Sequence, residues 1–322
     1  MKPEKIKQGD NLRVIAPSNS LAIIGNREVA NERFKDVGVS VSYSKNSEKQ
    51  DEFISSSIKE RIEDIHNAFK DKDIQIILSA IGGYNSNELL PYIDWNLIKE
   101  NPKIFGGFSD ITILLNAIYA KTGLITYHAP HYSSFTEKQG FDYTWEYFKK
   151  CLFFEEEFEI HNSETWSNDV WWMDQEKRNF LKNKGRYTIN HGEAEGTILG
   201  GHLGTFALLF GTDYLPSLKN SILFLESDSE SNENEIFRLL ESLTQQKYFE
   251  EVKGILFGRF EKDTVSKEKL IKFINKNEKL KKIPIIADLD FGHTEPFFTF
   301  PIGGKAKMIA SKDSSKIIIK EH

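Results

Sequence analysis

Residues 103–120 have the sequence KIFGGFSDITILLNAIYA, which joins two different patterns. The largely apolar run 103–108 predicts a buried strand, and residues 110–120 show a helical pattern. Ser109 stands between them, at a strand–turn–helix corner. Because strands that alternate with helices form parallel sheets covered on both faces, this stretch indicates an α/β fold.

The alternation continues on both sides of that corner. In the first half, the patterns predict strands at 12–16, 39–43 and 74–80, and helices over 26–37 and 57–69. In the second half, they predict strands at 195–199, 221–225, 252–257, 283–287 and 316–320. Asn232, with Glu235 three residues later, predicts a capping box for a helix through Gln245.

Composition divides the chain into three parts. Residues 1–155 are predicted to form an α/β domain, and residues 193–322 a smaller, β-rich α/β domain. Residues 156–192 are polar and aromatic and show no sustained period. A stretch of that length without regular structure is usually functional or disordered, so we interpret it as a linker that carries a substrate loop.

The overall composition excludes several classes of function. The chain has 322 residues, a net charge of −6, and a hydrophobic and charged content that is typical of globular proteins. The negative charge gives no attraction to nucleic acid or anionic membranes. The single cysteine, the first ten residues MKPEKIKQGD and the lack of a long apolar run indicate a cytoplasmic protein without disulfides. Neither a metal-site motif nor a phosphate loop occurs, so no metal or cofactor is expected.

Ser109 is the main candidate for chemistry. A serine at the end of a parallel strand resembles a nucleophile elbow, although the second glycine of G-x-S-x-G is absent. The backbone N–H groups of the helix start could stabilise an oxyanion, and so could those of Gly82 and Gly83 after strand 74–80. Two simpler interpretations stay open at this point: Ser109 could cap the helix, and the glycines could form an ordinary turn.

A serine nucleophile needs a base and an acid that orients it. Among the eight histidines, His128, His131 and His293 are contenders because each follows or lies near a predicted strand end. Asp288 or Asp290 could equally hold His293 in a simple turn. Glu226 ends the apolar strand 221–225, where its carboxylate could orient an imidazole or belong to a solvated acidic loop.

Several segments together resemble the L,D-carboxypeptidase family of serine peptidases, and most closely its microcin C immunity branch. The segments that carry this resemblance are GDNLRVIAPS (9–18), AIGGYNS (80–86), GGFSDIT (106–112), EGTILGG (195–201), LFLE (223–226) and DFGH (290–293). The resemblance implies a flavodoxin-like N-terminal domain with the serine, a C-terminal domain with the acid and the base, and a homodimer.

The same resemblance implies roles for individual residues. Ser109 would be the nucleophile, Glu226 the orienting acid and His293 the general base. Backbone N–H groups of Gly83 and Asp110 would form the oxyanion hole.

Two kinds of substrate are compatible with the resemblance. The segment WSNDVWWMDQ (166–175) is similar to the immunity branch, in which an aromatic side chain stacks on a nucleobase. Trp166, Trp171 and Trp172 are therefore candidate substrate contacts, although each could instead clamp the domain junction. The favoured function is hydrolysis of an amide between an amino acid or peptide and a modified adenosine nucleotide. The alternatives are removal of terminal D-alanine from muropeptide tetrapeptides and non-catalytic binding of a nucleotide or peptide.

Overall fold

The computed structural model describes residues 1–311 and 314–322. The described chain forms a six-stranded sheet, an eight-stranded sheet and a two-stranded ribbon. This mixed α/β arrangement confirms the predicted fold class.

The first sheet is built from the N-terminal half of the chain. Its strands are Asn11–Ile15 (β1), Ser40–Tyr43 (β2), Ile76–Ser79 (β3), Ile104–Gly107 (β4) and Thr126–His128 (β5). The helices around it are Glu28–Asp36 (α1), Ile58–Lys70 (α2), Trp95–Glu100 (α3), Thr112–Thr122 (α4) and Asp142–Leu152 (α5). The five strands are parallel in the order β2-β1-β3-β4-β5, which is the flavodoxin-like order.

The packing explains the patterns seen in the sequence. Strand β3 is buried along its whole length, as its continuous apolar run predicts. Helix α2 is amphipathic and buries Ile65 and Phe69 on one face. Helix α4 is buried on nearly all sides because it lies between the two sheets, where the Asn116 amide donates to the carbonyl of Gly200.

The middle of the chain contains short strands that its composition did not predict. They are Phe158–Glu159 (β6), Thr165–Trp166 (β7), Leu181–Lys182 (β8) and Tyr187–Asn190 (β9). Strands β6 and β9 pair with opposite edges of the second sheet, and β7 pairs with β8. Two- to four-residue strands carry no recognisable alternation, since their pairing partners decide them.

The second sheet comes from the C-terminal half. Its other strands are Gly192–His202 (β10), Ser221–Glu226 (β11), Gly254–Gly258 (β12), Ile285–Leu289 (β13), Lys305–Ala310 (β15) and Lys316–Glu321 (β16). The helices are Leu203–Ala207 (α6), Glu233–Thr244 (α7) and Lys267–Lys276 (α8). Strands β10 to β13 are parallel neighbours. Asn232 caps α7 by accepting from the backbone N–H groups of Asn234 and Glu235, which is one half of the predicted capping box.

One strand of the C-terminal half crosses to the first sheet. Phe300–Ile302 (β14) pairs antiparallel with β5. Phe300 stacks on His128 at a centroid distance of 4.4 Å and contacts Phe224 of the second sheet at 4.6 Å. Aromatic side chains of both halves therefore form one continuous core. Within the described residues, no helix is long and apolar enough to span a membrane.

Candidate active site

The carboxyl ends of parallel strands from both sheets meet at one cavity. Ser109 follows β4, Gly82 and Gly83 follow β3, Glu226 ends β11, and His293 follows β13. Open α/β sheets place ligands at this edge. The cavity has a volume of about 750 Å³ and is lined by Ser109, Gly83 and His293 among others.

Ser109 occupies a strained corner. Its φ angle of 57° lies in the left-handed region, which non-glycine residues rarely adopt. A 3₁₀ turn, Ser109–Ile111, leads from β4 into α4. The Ser109 hydroxyl faces His293 instead of capping the helix, and its oxygen lies 3.0 Å from Nε2 of that residue. Ser109 therefore lies half-buried at a strand–turn–helix corner, with its hydroxyl directed at the imidazole.

His293 is held in place from its other nitrogen. Its Nδ1–H donates to Oε2 of Glu226 over 2.8 Å. The Glu226 side chain is fully buried, and the His293 side chain is 19% exposed. Gly292 has a φ of 111°, and a Cβ at this position would lie only 2.7 Å from Glu226 Oε2. The absence of a side chain at Gly292 therefore allows the carboxylate to occupy its position.

Charge in this pair strongly favours a protonated imidazole. Burial by itself lowers the pKa of His293, but the charge and hydrogen bond of Glu226 more than compensate and raise it to about 9. Burial raises the pKa of Glu226, yet the facing His293 brings it below its usual value. Asp228 adds a further negative charge near the imidazole.

The other histidines are placed in different environments. His131 donates from Nε2 to the carbonyl of Phe108, and His128 is fully buried without a hydrogen-bond partner in the described chain. Burial lowers the pKa of each to about 3. His202 caps α6 by accepting from the Thr205 backbone. Of these histidines, His293 alone is hydrogen-bonded to the Ser109 hydroxyl in the described residues.

The predicted turn partners of His293 have other roles. Asp290 accepts from Arg259 over 2.8 Å and from the backbone N–H of Ser163. Asp288 lies 3.2 Å from the same arginine. These contacts join the middle segment to the C-terminal half. The carboxylate that is hydrogen-bonded to His293 is therefore that of Glu226.

The candidate oxyanion donors lie beside the elbow. Gly83 lines the cavity, and Asp110 directly follows Ser109. A Cβ at the preceding Gly82 would lie 3.1 Å from Ser109 Oγ, so the glycine loop approaches the hydroxyl closely.

The three candidate tryptophans have different positions. Trp172 lines the cavity and is 64% exposed. Trp171 also lines the cavity but is 7% exposed, and its Nε1–H donates to Oε1 of Glu295 over 3.1 Å. Trp166 lies outside the lining, with the Arg259 guanidinium 4.7 Å from its ring centre. The structure therefore brings two of the three to the cavity.

Some residues of the site carry no sequence signal that sets them apart. Burial, with a further contribution from the charge of Glu137, keeps the pKa of Glu295 well above its usual range. The Glu295 carboxyl also accepts the hydrogen bond from the Trp171 indole. The Tyr84 hydroxyl bonds Glu230 over 2.7 Å and joins the glycine loop to the C-terminal half across the cavity. Tyr84 lies within the motif AIGGYNS, and Glu295 lies two residues after DFGH, and these positions alone could have indicated them.

Known proteins give an independent view of this site. Residues 12–129 match the LD-carboxypeptidase N-terminal domain, and residues 195–308 match the LD-carboxypeptidase C-terminal domain. The chain is 44% identical over its full length, and over the full length of the relative, to "Putative carboxypeptidase YocD" of Bacillus subtilis (strain 168). It is 35% identical to the microcin C7 self-immunity protein MccF of Escherichia coli, over 85% of this chain and 81% of that protein.

Solved structures agree with these matches. The crystal structure of an MccF-like protein from Bacillus anthracis str. Ames superimposes with a TM-score of 0.98, at 49% identity and full coverage of both chains. MccF in complex with aspartyl sulfamoyl adenosine gives a TM-score of 0.89 at 32% identity, covering 100% of this chain and 99% of that one.

The fold and these matches define a two-domain α/β peptidase. The chain belongs to the LD-carboxypeptidase family, close to its MccF branch. This confirms the resemblance drawn from the sequence.

Proposed function

We propose that this chain is a serine amidase that hydrolyses the amide between an amino acid or peptide and a modified adenosine nucleotide. The observation that carries this proposal is the unbroken chain of contacts from Ser109 Oγ through His293 to Glu226 at the wall of a large cavity. A nucleophile, a base and an orienting acid in hydrogen-bond contact are the arrangement that acyl transfer needs.

Each residue has a defined part in the mechanism. Ser109 Oγ attacks the amide carbonyl carbon while neutral His293 takes the hydroxyl proton at Nε2. The backbone N–H groups of Gly83 and Asp110 stabilise the oxyanion of the tetrahedral intermediate. His293 then protonates the leaving nitrogen, the C–N bond breaks, and an acyl-enzyme remains on Ser109.

Deacylation repeats the same steps with water. His293 takes a proton from water as the water oxygen attacks the acyl carbon, and it returns that proton to Ser109 Oγ as the ester bond breaks. Throughout, Glu226 fixes the imidazole and stabilises its protonated form. Positioned acid–base assistance of this kind typically contributes about 10²- to 10⁴-fold in rate.

Trp171 and Trp172, which both line the cavity, favour a nucleotide as the leaving group. Trp172 presents an exposed ring to the cavity, whereas the indole N–H of Trp171 is bonded to Glu295. We assign nucleobase stacking to Trp172, with Trp171 as the side chain that supports it at a centroid distance of 6.0 Å. MccF has been crystallised with aspartyl sulfamoyl adenosine, and its tryptophan-to-phenylalanine mutant with adenosine monophosphate.

A second candidate is removal of terminal D-alanine from a muropeptide tetrapeptide. The family's LD-carboxypeptidase description and the carboxypeptidase name of the 44% identical relative favour it. The same triad would cleave that amide, so the two candidates differ in what the cavity binds.

The domain boundaries, the homodimer and the cytoplasmic location stay predictions.

The deciding experiment offers both substrates to purified protein and follows the products by mass spectrometry. Aspartyl sulfamoyl adenosine tests the nucleotide amidase, and a muropeptide tetrapeptide tests the carboxypeptidase. Release of aspartate from the nucleotide by wild type, but not by Ser109→Ala, supports the proposal. Loss of D-alanine alone would replace it with the second candidate. If neither substrate is cleaved, a binding protein on this fold becomes the better description.

A further inference from the structure

Side chains to which the proposed mechanism gives no role meet at one carboxylate, and they come from three of the sequence motifs. Ser18 ends the motif at 9–18, Ser86 ends the motif at 80–86, and Asp110 follows the proposed nucleophile. The two serines are fully buried, and Asp110 is 3% exposed. The side chain of Asp110 lies where these three segments converge.

Asp110 is hydrogen-bonded to both loops. Its Oδ2 accepts from the Ser18 hydroxyl over 2.7 Å and from the backbone N–H of Ser86 over 2.9 Å. The Ser86 hydroxyl in turn donates to the backbone carbonyl of Asp110 over 2.8 Å. Two buried hydrogen bonds from Ser86 thus join Asp110 to the glycine loop, and a third from Ser18 joins it to the loop after β1.

A second layer supports this junction. The Arg61 side chain, buried in α2, donates to the carbonyl of Pro17 over 3.2 Å and to the Asn85 side chain over 3.0 Å. It also pairs with Glu88 over 2.6 Å. The loops after β1 and β3 are therefore also held together through Arg61, which lies outside the cavity lining.

The glycine loop fits tightly into this network. A Cβ at Gly83 would collide with the Ser18 hydroxyl and would lie 2.8 Å from Asn19 Oδ1. The backbone N–H of Asn19 donates to the carbonyl of Gly82 over 3.1 Å. A small movement of Ser18 would consequently displace the backbone that contains the Gly83 N–H.

We propose that the Asp110 carboxylate is a positioning residue that sets the Gly83 N–H relative to the Asp110 N–H, the two donors of the oxyanion hole. This inference depends on the proposed function. Donors act when they lie about 2.7–3.1 Å from the developing oxyanion, so a small shift of one loop weakens them. The carboxylate contacts neither the nucleophile nor the base, and it acts through the backbone of its own residue and of the glycine loop.

If Asp110 had a purely structural role, its removal would affect Ser109 reactivity no more than removal of another buried carboxylate. Asp64 is a matched control for this comparison. Asp64 is 4% exposed and likewise accepts from a backbone N–H and a side chain, both of Asn46. It lies on α2, outside the cavity lining. Removing either carboxylate deletes a buried acceptor, but removal of Asp110 alone should disturb the oxyanion hole.

The test measures the second-order rate of Ser109 phosphonylation by a fluorophosphonate, whose P=O oxygen takes the place of the oxyanion. We expect Asp110→Ala to slow labelling about 10- to 100-fold, since deletion of a whole donor costs about 10²- to 10³-fold. Asp110→Asn, which still accepts from the Ser86 N–H, should recover most of the rate. Asp64→Ala should label within about twofold of wild type after correction for the folded fraction.

Each outcome decides the question. Folded Asp110→Ala that labels at the wild-type rate overturns the inference, and so does an equal loss in Asp64→Ala. If Asp110→Ala does not fold, Ser18→Ala decides, because it keeps the carboxylate and removes only the hydroxyl that donates to Asp110 and lies 3.4 Å from Asn85 Oδ1. Slower labelling of Ser18→Ala at an unchanged unfolding midpoint supports the inference, and wild-type labelling overturns it. Wild-type protein that does not label at Ser109 would instead contradict the proposed function.

Discussion

The Ser109 hydroxyl oxygen lies 3.0 Å from Nε2 of His293, although the two residues follow strands of different sheets and lie 184 positions apart. The contact depends on how the two halves of the chain pack. Strand β14 follows His293 by seven residues and pairs with β5 of the first sheet. The segment that carries the base is thereby fixed to the sheet that carries the serine.

Loss of either partner should abolish hydrolysis. We expect Ser109→Ala and His293→Ala each to lower kcat by at least about 10³-fold, because the serine and the imidazole act as one unit. The double variant should be no slower than the slower single variant. Steady-state kinetics on aspartyl sulfamoyl adenosine, with unfolding midpoints as a check of folding, would measure this. Additive losses in the double variant would contradict a shared step.

The raised pKa of His293 predicts an alkaline rate profile. The base must be neutral to accept the Ser109 proton, so kcat/KM should rise about tenfold per pH unit up to an apparent pKa near 9. Glu226→Gln removes the charge that raises this pKa, and burial then lowers it. The rising limb should move to lower pH by more than about one unit, while the plateau falls because the imidazole loses its orienting acid.

Asp228→Asn should change the pH dependence of kcat/KM in the same direction as Glu226→Gln, but by less. Asp228 contributes less than Glu226 to the raised pKa of His293, so its neutralisation should move the limb by a smaller amount. Measurement of kcat/KM between pH 5 and pH 10 for the three proteins would show the order. A limb that stays in place in Glu226→Gln would mean that another group controls it.

Substitution of the three tryptophans should have different effects on substrate binding and on protein stability. Trp172→Ala should raise KM for aspartyl sulfamoyl adenosine about 5- to 150-fold, which corresponds to about 1–3 kcal/mol of base stacking, at unchanged stability. Trp171→Ala should lower the free energy of unfolding by about 3–5 kcal/mol, because that ring is buried. Trp166→Ala removes the contact with Arg259 outside the cavity and should leave KM unchanged. An unchanged KM in Trp172→Ala would remove this residue from the proposed site.

Much of this architecture could be predicted from local patterns. Strands β3 and β4 are short, largely apolar runs that end at serine and glycine, and β1 is a β-branched stretch stopped shortly before Pro17. Such patterns are recognisable without tertiary information. The elbow follows from a serine between a strand and a helix. Selecting His293 over His128 and His131 needed the family resemblance, since all three stand near strand ends.

The remaining features are determined by contacts between distant segments. Strand β14 forms because β5 offers it a free edge, and nothing within its three residues requires a strand. The opposite exposures of Trp171 and Trp172 depend on Glu295, more than 120 positions away. The left-handed φ of Ser109 likewise results from the surrounding packing, because the local sequence disfavours it.

Buried His128 should make the fold sensitive to acid. Burial lowers its pKa to about 3, whereas in the unfolded chain it is protonated below its ordinary value of 6.5. The unfolded state therefore binds one more proton between those two values, and stability falls as pH decreases. The expected slope from this residue is about 1.4 kcal/mol per pH unit, and His131 adds a similar amount. His293 leaves the slope unchanged well below pH 6, because it is then protonated in both states.

The variant His128→Phe tests this directly. The ring stacks on Phe300, and neither of its nitrogens has a hydrogen-bond partner in the described chain, so phenylalanine preserves the contact and sacrifices no bond. Urea unfolding between pH 6 and pH 4.5 should show a smaller slope of unfolding free energy against pH. The expected reduction is about 1.4 kcal/mol per pH unit, which corresponds to one proton. His191→Gln, at an exposed histidine, should keep the wild-type slope. If His128→Phe keeps it too, the imidazole must reach water or a partner in the folded protein, and the acid sensitivity must originate elsewhere.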